Sequence, residues 1–120
     1  MEPPSHIAQL LNSLASFTTT VAHEAGAHRF HVQHGVKSVV VLWPSELGEV
    51  FFDFINEGQV LLAESVEYYE AESPVGQAED VAKVIGNFLL NEVKVCQSGV
   101  LLKRQELQAY RGGKWQSVFQ

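Results

Sequence analysis

Two runs of strand-forming residues, Val50–Ile55 and Gln59–Tyr69, flank Asn56-Glu57-Gly58 in this chain of 120 residues. A three-residue loop with glycine in the left-handed position is a common hairpin connection. Side chains then alternate between the faces of each strand. Such a loop predicts Phe54 opposite Val60, Asp53 opposite Leu61, Phe52 opposite Leu62 and Val50 opposite Glu64. One face carries Val50, Phe52, Phe54, Val60, Leu62, Val66 and Tyr68 and is expected to face the core. The other carries Phe51, Asp53, Ile55, Leu61, Glu67 and Tyr69. Glu64 is the misfit, because this register puts a carboxylate on the core face unless a bulge after Leu62 turns it outward. Leu61–Glu70 has enough Leu, Ala and Glu to suit a helix as well, and the preceding hairpin signal favours strand.

The remaining elements are read around this hairpin. Ser38–Trp43 is apolar on both parities, as in a strand covered on both faces, and Pro44 is expected to end it. Upstream, Phe30 and Val32 share the parity of His28 and His34, which suits a half-exposed strand, and Gly35 marks a turn. Ile7, Leu10, Leu11, Leu14, Phe17 and Val21 recur at three- and four-residue steps. That spacing predicts a helix over Ser5–Ala25, with Ser5 as N-cap, Gly26 past its end and Thr18-Thr19-Thr20 as a weak helical stretch. Residues 1–4 are expected to be disordered.

Ser73-Pro74 reads as the cap and first residue of a second helix, Pro74–Asn91. Its apolar stripe is Ala78, Val81, Ala82, Ile85, Phe88 and Leu89, and Gly86-Asn87 suggests close packing. Val93–Cys96 can start a strand. Val100–Arg111 and Lys114–Phe119 flank Gly112-Gly113, a type I′ loop that pairs Tyr110 with Trp115 and Leu107 with Val118. The reading is a single α+β domain over residues 1–120. It has an antiparallel sheet of about five to six strands packed with two helices, in the order α-β-β-β-β-α-β-β.

A chain of this length can bury a core without a metal or disulfides. One cysteine, Cys96, excludes an intramolecular disulfide and fits a reducing compartment. The start Met1-Glu-Pro-Pro-Ser lacks the features of a signal peptide, and no apolar run reaches the length of a membrane span. A cytoplasmic location without a membrane partner is expected.

Charge is distributed unevenly about a net of −6. Ser38–Asp80 holds ten of the fourteen carboxylates and no Lys or Arg. Residues 1–92 carry thirteen acids against three bases, whereas residues 93–120 carry five bases against one acid. The prevailing sign argues against a nucleic-acid partner, because such binding draws largely on phosphate neutralisation.

Candidate chemistry is sparse. His28, His31 and His34 invite a metal or small-ligand reading, since imidazole is a common metal ligand. Along a strand, however, His31 points away from the other two. His23-Glu-Ala-Gly-Ala-His28 spaces its histidines by five, not by the four that place two ligands on one helical face. Asp53 with Glu64 could serve general acid chemistry if either carboxyl lay against apolar groups. Phosphate-loop, dinucleotide, nucleophile-elbow and C-x-x-C motifs are absent. Cys96 lies in no catalytic signature. No enzyme activity and no cofactor are expected, with a small enzyme without a recognised motif as an alternative.

A protein partner is the reading that remains. Phe51, Tyr69 and their apolar neighbours are interleaved with Asp53, Glu64, Glu67, Glu70 and Glu72. Aromatic anchors beside charges are what a steered interface uses. Phe51, Asp53, Glu64, Glu67, Tyr69, Glu70 and Glu72 are therefore the candidate contact residues for a basic protein. Bacterial immunity proteins against secreted toxins are similar in size, charge and fold class, an analogy without a shared motif. Homo-oligomerisation, acidic face to basic C-terminal hairpin, is the alternative arrangement of the same charges.

Overall fold

β-branched residues decide where the first helix stops. In the computed structural model, which describes residues 5–24, 26–44, 49–67, 74–98 and 104–119, α1 covers Ser5–Ser13 only. The Leu14 amide donates to both Leu10 O and Leu11 O, and the Phe17 amide donates to Leu14 O, so the last turn tightens and ends. Thr18–Glu24 then forms strand β1. The expected helix to Ala25 is corrected on this point. Phe17 and Val21 are four residues apart, a spacing that fits one helical turn and strand parity equally. Three consecutive threonines favour the extended form, where χ1 restriction costs less. Residues 1–4 lie outside the described residues.

Five strands follow as a meander: β1, β2 (Ala27–His34), β3 (Lys37–Pro44), β4 (Glu49–Asn56) and β5 (Gln59–Glu67), each antiparallel to the next. Helix α2 (Pro74–Leu89) leads to a separate three-stranded antiparallel sheet of β6 (Val93–Ser98), β7 (Arg104–Arg111) and β8 (Lys114–Ser117). The α+β class and the two helices are those expected. β1 and β6 raise the strand count, and the strands divide between two sheets. Among the described residues, no helix is long and apolar enough to cross a membrane.

The central hairpin forms with a shifted register. Its turn is the two-residue Glu57-Gly58, with φ of 52° and 81°, so Asn56 pairs with Gln59 and Ile55 with Val60. A bulge then leaves Leu61 unpaired and sets Phe54 opposite Leu62, Phe52 opposite Glu64 and Val50 opposite Val66. Val60 is thereby moved off the core face and is 59 % exposed. The bulge falls before Leu62, not after it, so Glu64 stays on the core side. Beyond Glu67, the expected strand lies outside the described residues.

Among the described residues, the helices cover one face of the large sheet. Phe30, Val32, Val39, Val41, Trp43, Val50, Phe52 and Phe54 are buried there. They meet Ile7, Leu10 and Leu14 of α1 and Ala78, Val81, Val84, Ile85, Phe88 and Leu89 of α2 in one cluster. The opposite parity of β3, expected to be covered too, is half-buried at Val40 and Leu42. The small sheet closes one side of the core through Leu107, Ala109 and Val118. In that sheet Gly112-Gly113 turns as expected, Tyr110 pairs with Trp115, and the Val118 amide donates to Leu107 O.

Helix α2 is tied at its C-terminal end. Lys37 Nζ donates to Phe88 O at 2.7 Å and to Asn91 O, satisfying carbonyls that the helix leaves unpaired. Buried Asn87 donates through Nδ2 to Val118 O at 2.9 Å and accepts from Arg111 Nη1 at 3.1 Å. It thus joins the helix to the β7–β8 hairpin. A side chain at Gly86 would meet no atom within 4 Å, so the close packing suggested there belongs to Asn87 alone.

Two outcomes follow. Glu57 pays a steric cost for positive φ, and Asn tolerates that conformation better. Glu57→Asn should therefore raise stability by about 0.5–1 kcal/mol, seen as a higher denaturant midpoint. Lys37→Met should lower stability by about 1–2 kcal/mol, because Phe88 O in the last turn and Asn91 O just past the helix lose their donor. Burial holds the Lys37 pKa below its usual 10.5. The unfolded chain therefore binds that proton more tightly, and wild-type stability gains with rising pH between the folded value and 10.5. The deficit of Lys37→Met measured by denaturation should widen over the same interval.

Candidate functional site

The register of the large sheet sorts the candidate contact residues. Phe51 pairs with Leu42 and Ser65, and Asp53 pairs with Val40 and Ala63. Glu49 pairs with Glu67. All of these share the face turned away from the helices, as strand alternation requires when Phe52 and Phe54 are buried. Phe51, Asp53 and Glu67 are exposed on it. The fold adds residues that the linear charge pattern hid. Arg29 pairs with Leu42 and His31 with Val40, so both stand two strands from Phe51 and Asp53 on the same face. The face therefore grades from a cationic side at β2 to an anionic side at β4 and β5. Strand pairing brings together residues more than twenty positions apart, which a reading of charge along the chain cannot capture.

Glu64 belongs elsewhere. Its cross-strand partner is Phe52, and this half-buried residue lines a cleft of about 240 Å³ between β5 and the small sheet. Leu62, Leu107 and Phe119 form the apolar part of this cleft, and Glu106, Gln105 and Ser117 add polar groups. Gln108 Nε2 donates to Glu106 Oε2 at 3.2 Å, and Cys96 Sγ donates to Gln108 Oε1 at 3.4 Å. A second hollow of about 280 Å³ runs from Phe51 and Asp53 past Ala63 to Glu64 and Ser65. Glu64 borders both. Asp53 and Glu64 lie on opposite faces of the sheet by register, so they do not form the paired carboxylates of a general acid site. Tyr69, Glu70 and Glu72 lie outside the described residues.

The histidines do not converge. His28 and His34 sit six residues apart on one face of β2, roughly 20 Å along the strand, and His31 is exposed on the other. His34 packs edge-on against Phe17 at 5.7 Å. His28 packs against His23 across the β1–β2 pair, with ring centroids 4.7 Å apart. Desolvation and then the neighbouring His23 lower the pKa of His28. Among the described residues, no three His, Cys, Asp or Glu side chains are grouped to hold a metal ion.

The C-terminal bases are dispersed as well. Arg111 is engaged with Asn87 and Gln116, and Lys94 lies over the Trp115 ring at 4.2 Å. Trp115 in turn meets Tyr110 edge-on at 5.4 Å. The basic counterpart needed for acidic-to-basic self-association is thus spread over both faces of the small sheet among the described residues.

Comparisons with protein-family models, with curated proteins and with solved structures find no match for the chain.

Glu64 occupies a place where Leu62 and Val66, its neighbours on the same face, set an apolar pattern. Glu64→Leu is expected to raise stability by about 1 kcal/mol by replacing a half-buried charge with apolar contact. Urea unfolding measures this as a higher midpoint at unchanged slope. A lower midpoint would mean that the carboxylate is itself stabilising.

Proposed function

We propose that this is a protein-binding domain whose outward sheet face engages a basic protein partner. One observation carries the reading. Neither helix covers that face, and Phe51 is 41 % exposed on it beside half-buried Val40, Leu42 and Ile55, with Glu49, Asp53 and Glu67 around them. An aromatic anchor within an apolar patch and a charged rim is the composition of a protein interface. Rim carboxylates raise the encounter rate of a cationic partner and help to set its orientation. Arg29 and His31 at the far side of the face favour one orientation, with the partner's bases over β4 and β5.

A domain of this kind works by occupation. It blocks its partner as an inhibitor does, or neutralises a basic toxin as an immunity protein does. A cytoplasmic site of action belongs to the same reading, supported by the single cysteine.

Capture from a native-host lysate at low salt tests the proposal. Wild-type protein should retain one basic protein that raised salt releases. Phe51→Ala should weaken retention by about 2 kcal/mol, roughly thirtyfold, and Asp53→Lys should slow association. Recovery of no specific basic protein, or equal recovery by both variants, would count decisively against this function.

A further inference from the structure

Glu64 combines three properties that no fold requirement explains. Its strand neighbours on the same face are Leu62 and Val66, and its cross-strand partner is Phe52. The residue is half-buried and has no hydrogen bond or ion pair to another described residue. It borders both the inter-sheet cleft and the hollow leading to Asp53. A carboxylate set among apolar side chains without a partner is a local conflict, and such conflicts are expected where a site needs the group.

The surroundings define what would satisfy it. Glu106 faces the same cleft and is held by Gln108. Among the residues whose side chains are described, no Lys or Arg lines the cleft. Leu62, Leu107 and Phe119 supply apolar wall beside the two carboxylates. Among the described residues no three His, Cys, Asp or Glu side chains are grouped to hold a metal ion, and a wall that is partly hydrocarbon adds no ligands to the two carboxylates. A long side chain with an aliphatic stem and a cationic tip matches both kinds of lining.

We infer that the cleft between β5 and the small sheet is a subsite for a lysine or arginine side chain of the partner protein. The stem packs on Leu62, Leu107 and Phe119, and the cationic head lies against Glu64 and Glu106. The identity of the donor as a partner protein rests on the proposed function, whereas the chemistry of the subsite does not. Glu64 borders both hollows, so one extended segment can reach the cleft and the Phe51–Asp53 face together.

The test uses isotope-labelled full chain titrated with N-acetyl-arginine amide, N-acetyl-lysine amide and neutral N-acetyl-norleucine amide at matched ionic strength, followed by amide chemical shifts. One or both cationic compounds should give saturating shifts at Leu62, Glu64, Gln105, Glu106 and Phe119 with a millimolar Kd. The tighter of the two identifies the preferred side chain. Glu64→Gln, which keeps the side-chain volume, should weaken binding about tenfold, and Glu106→Gln should do so as a second, independent variant. Absence of cleft shifts with both cations, equal shifts with the norleucine compound, or unchanged affinity in both variants would overturn the subsite. Cleft binding without lysate capture would remove the proposed partner alone. Capture with a silent cleft would remove the subsite alone.

Discussion

Four phenylalanines hold the two sheets and the second helix to one another. Phe52 and Phe54 stack in parallel on β4 at 5.7 Å. Phe119, just beyond β8, meets both edge-on at 5.6 and 5.8 Å. Phe88 of α2 packs on Phe54 at 5.1 Å. The stacked and edge-on pairs lie in the geometries that the ring quadrupole favours, so those contacts contribute beyond the area they bury. The small sheet packs against the same cluster through Leu107, Ala109 and Val118, and Asn87 adds a directional link. Without Phe119 against Phe52 and Phe54, little would fix the small sheet beside β5, and the cleft between them would have no second wall.

One-sided burial is the next consequence. Both helices are spent on the face that contains the phenylalanines, which leaves the reverse of a five-stranded meander uncovered among the described residues. An antiparallel sheet tolerates this when its outer face mixes polar and apolar groups. Here the mixture is ordered. Cationic Arg29 lies on one side with His31, Val40 and Leu42 are in the middle, and Phe51, Asp53 and Glu67 are on the other. The interface we propose uses that gradient and not the acidic stretch as a block.

Legibility in the sequence followed the length scale of the signal. Hairpin turns were readable because Gly58, Gly112 and Gly113 adopt positive φ for purely local reasons, and Pro74 starts α2 where its fixed φ suits a first turn. The second helix announced itself by its stripe. Thr18–Glu24 was misread because a spacing of four satisfies both periods, and only pairing with β2 resolves the ambiguity. The single-residue bulge at Leu61 was not read from the sequence, where one was considered only after Leu62. Turn geometry at Glu57-Gly58 and burial of Leu62 determine its position jointly, and burial is not local. Within the candidate site, Phe51, Asp53 and Glu67 were found by alternation. Arg29, His31, Glu106 and Phe119 were not, because nothing in their own neighbourhoods points to the partners that folding gives them.

By itself the sequence determined the α+β class, the two tight hairpins, the second helix and the oddity of Glu64, since each depends on periodicity, backbone restriction or local pattern. Tertiary structure decided the division into two sheets, which face stayed open and which charges became neighbours. These depend on long-range packing, where one bulge and one aromatic contact select among arrangements that local propensity leaves nearly equal. Glu64 shows the division most clearly: its mismatch was visible in the chain, but the cleft that gives the mismatch a use is built from residues more than forty positions away.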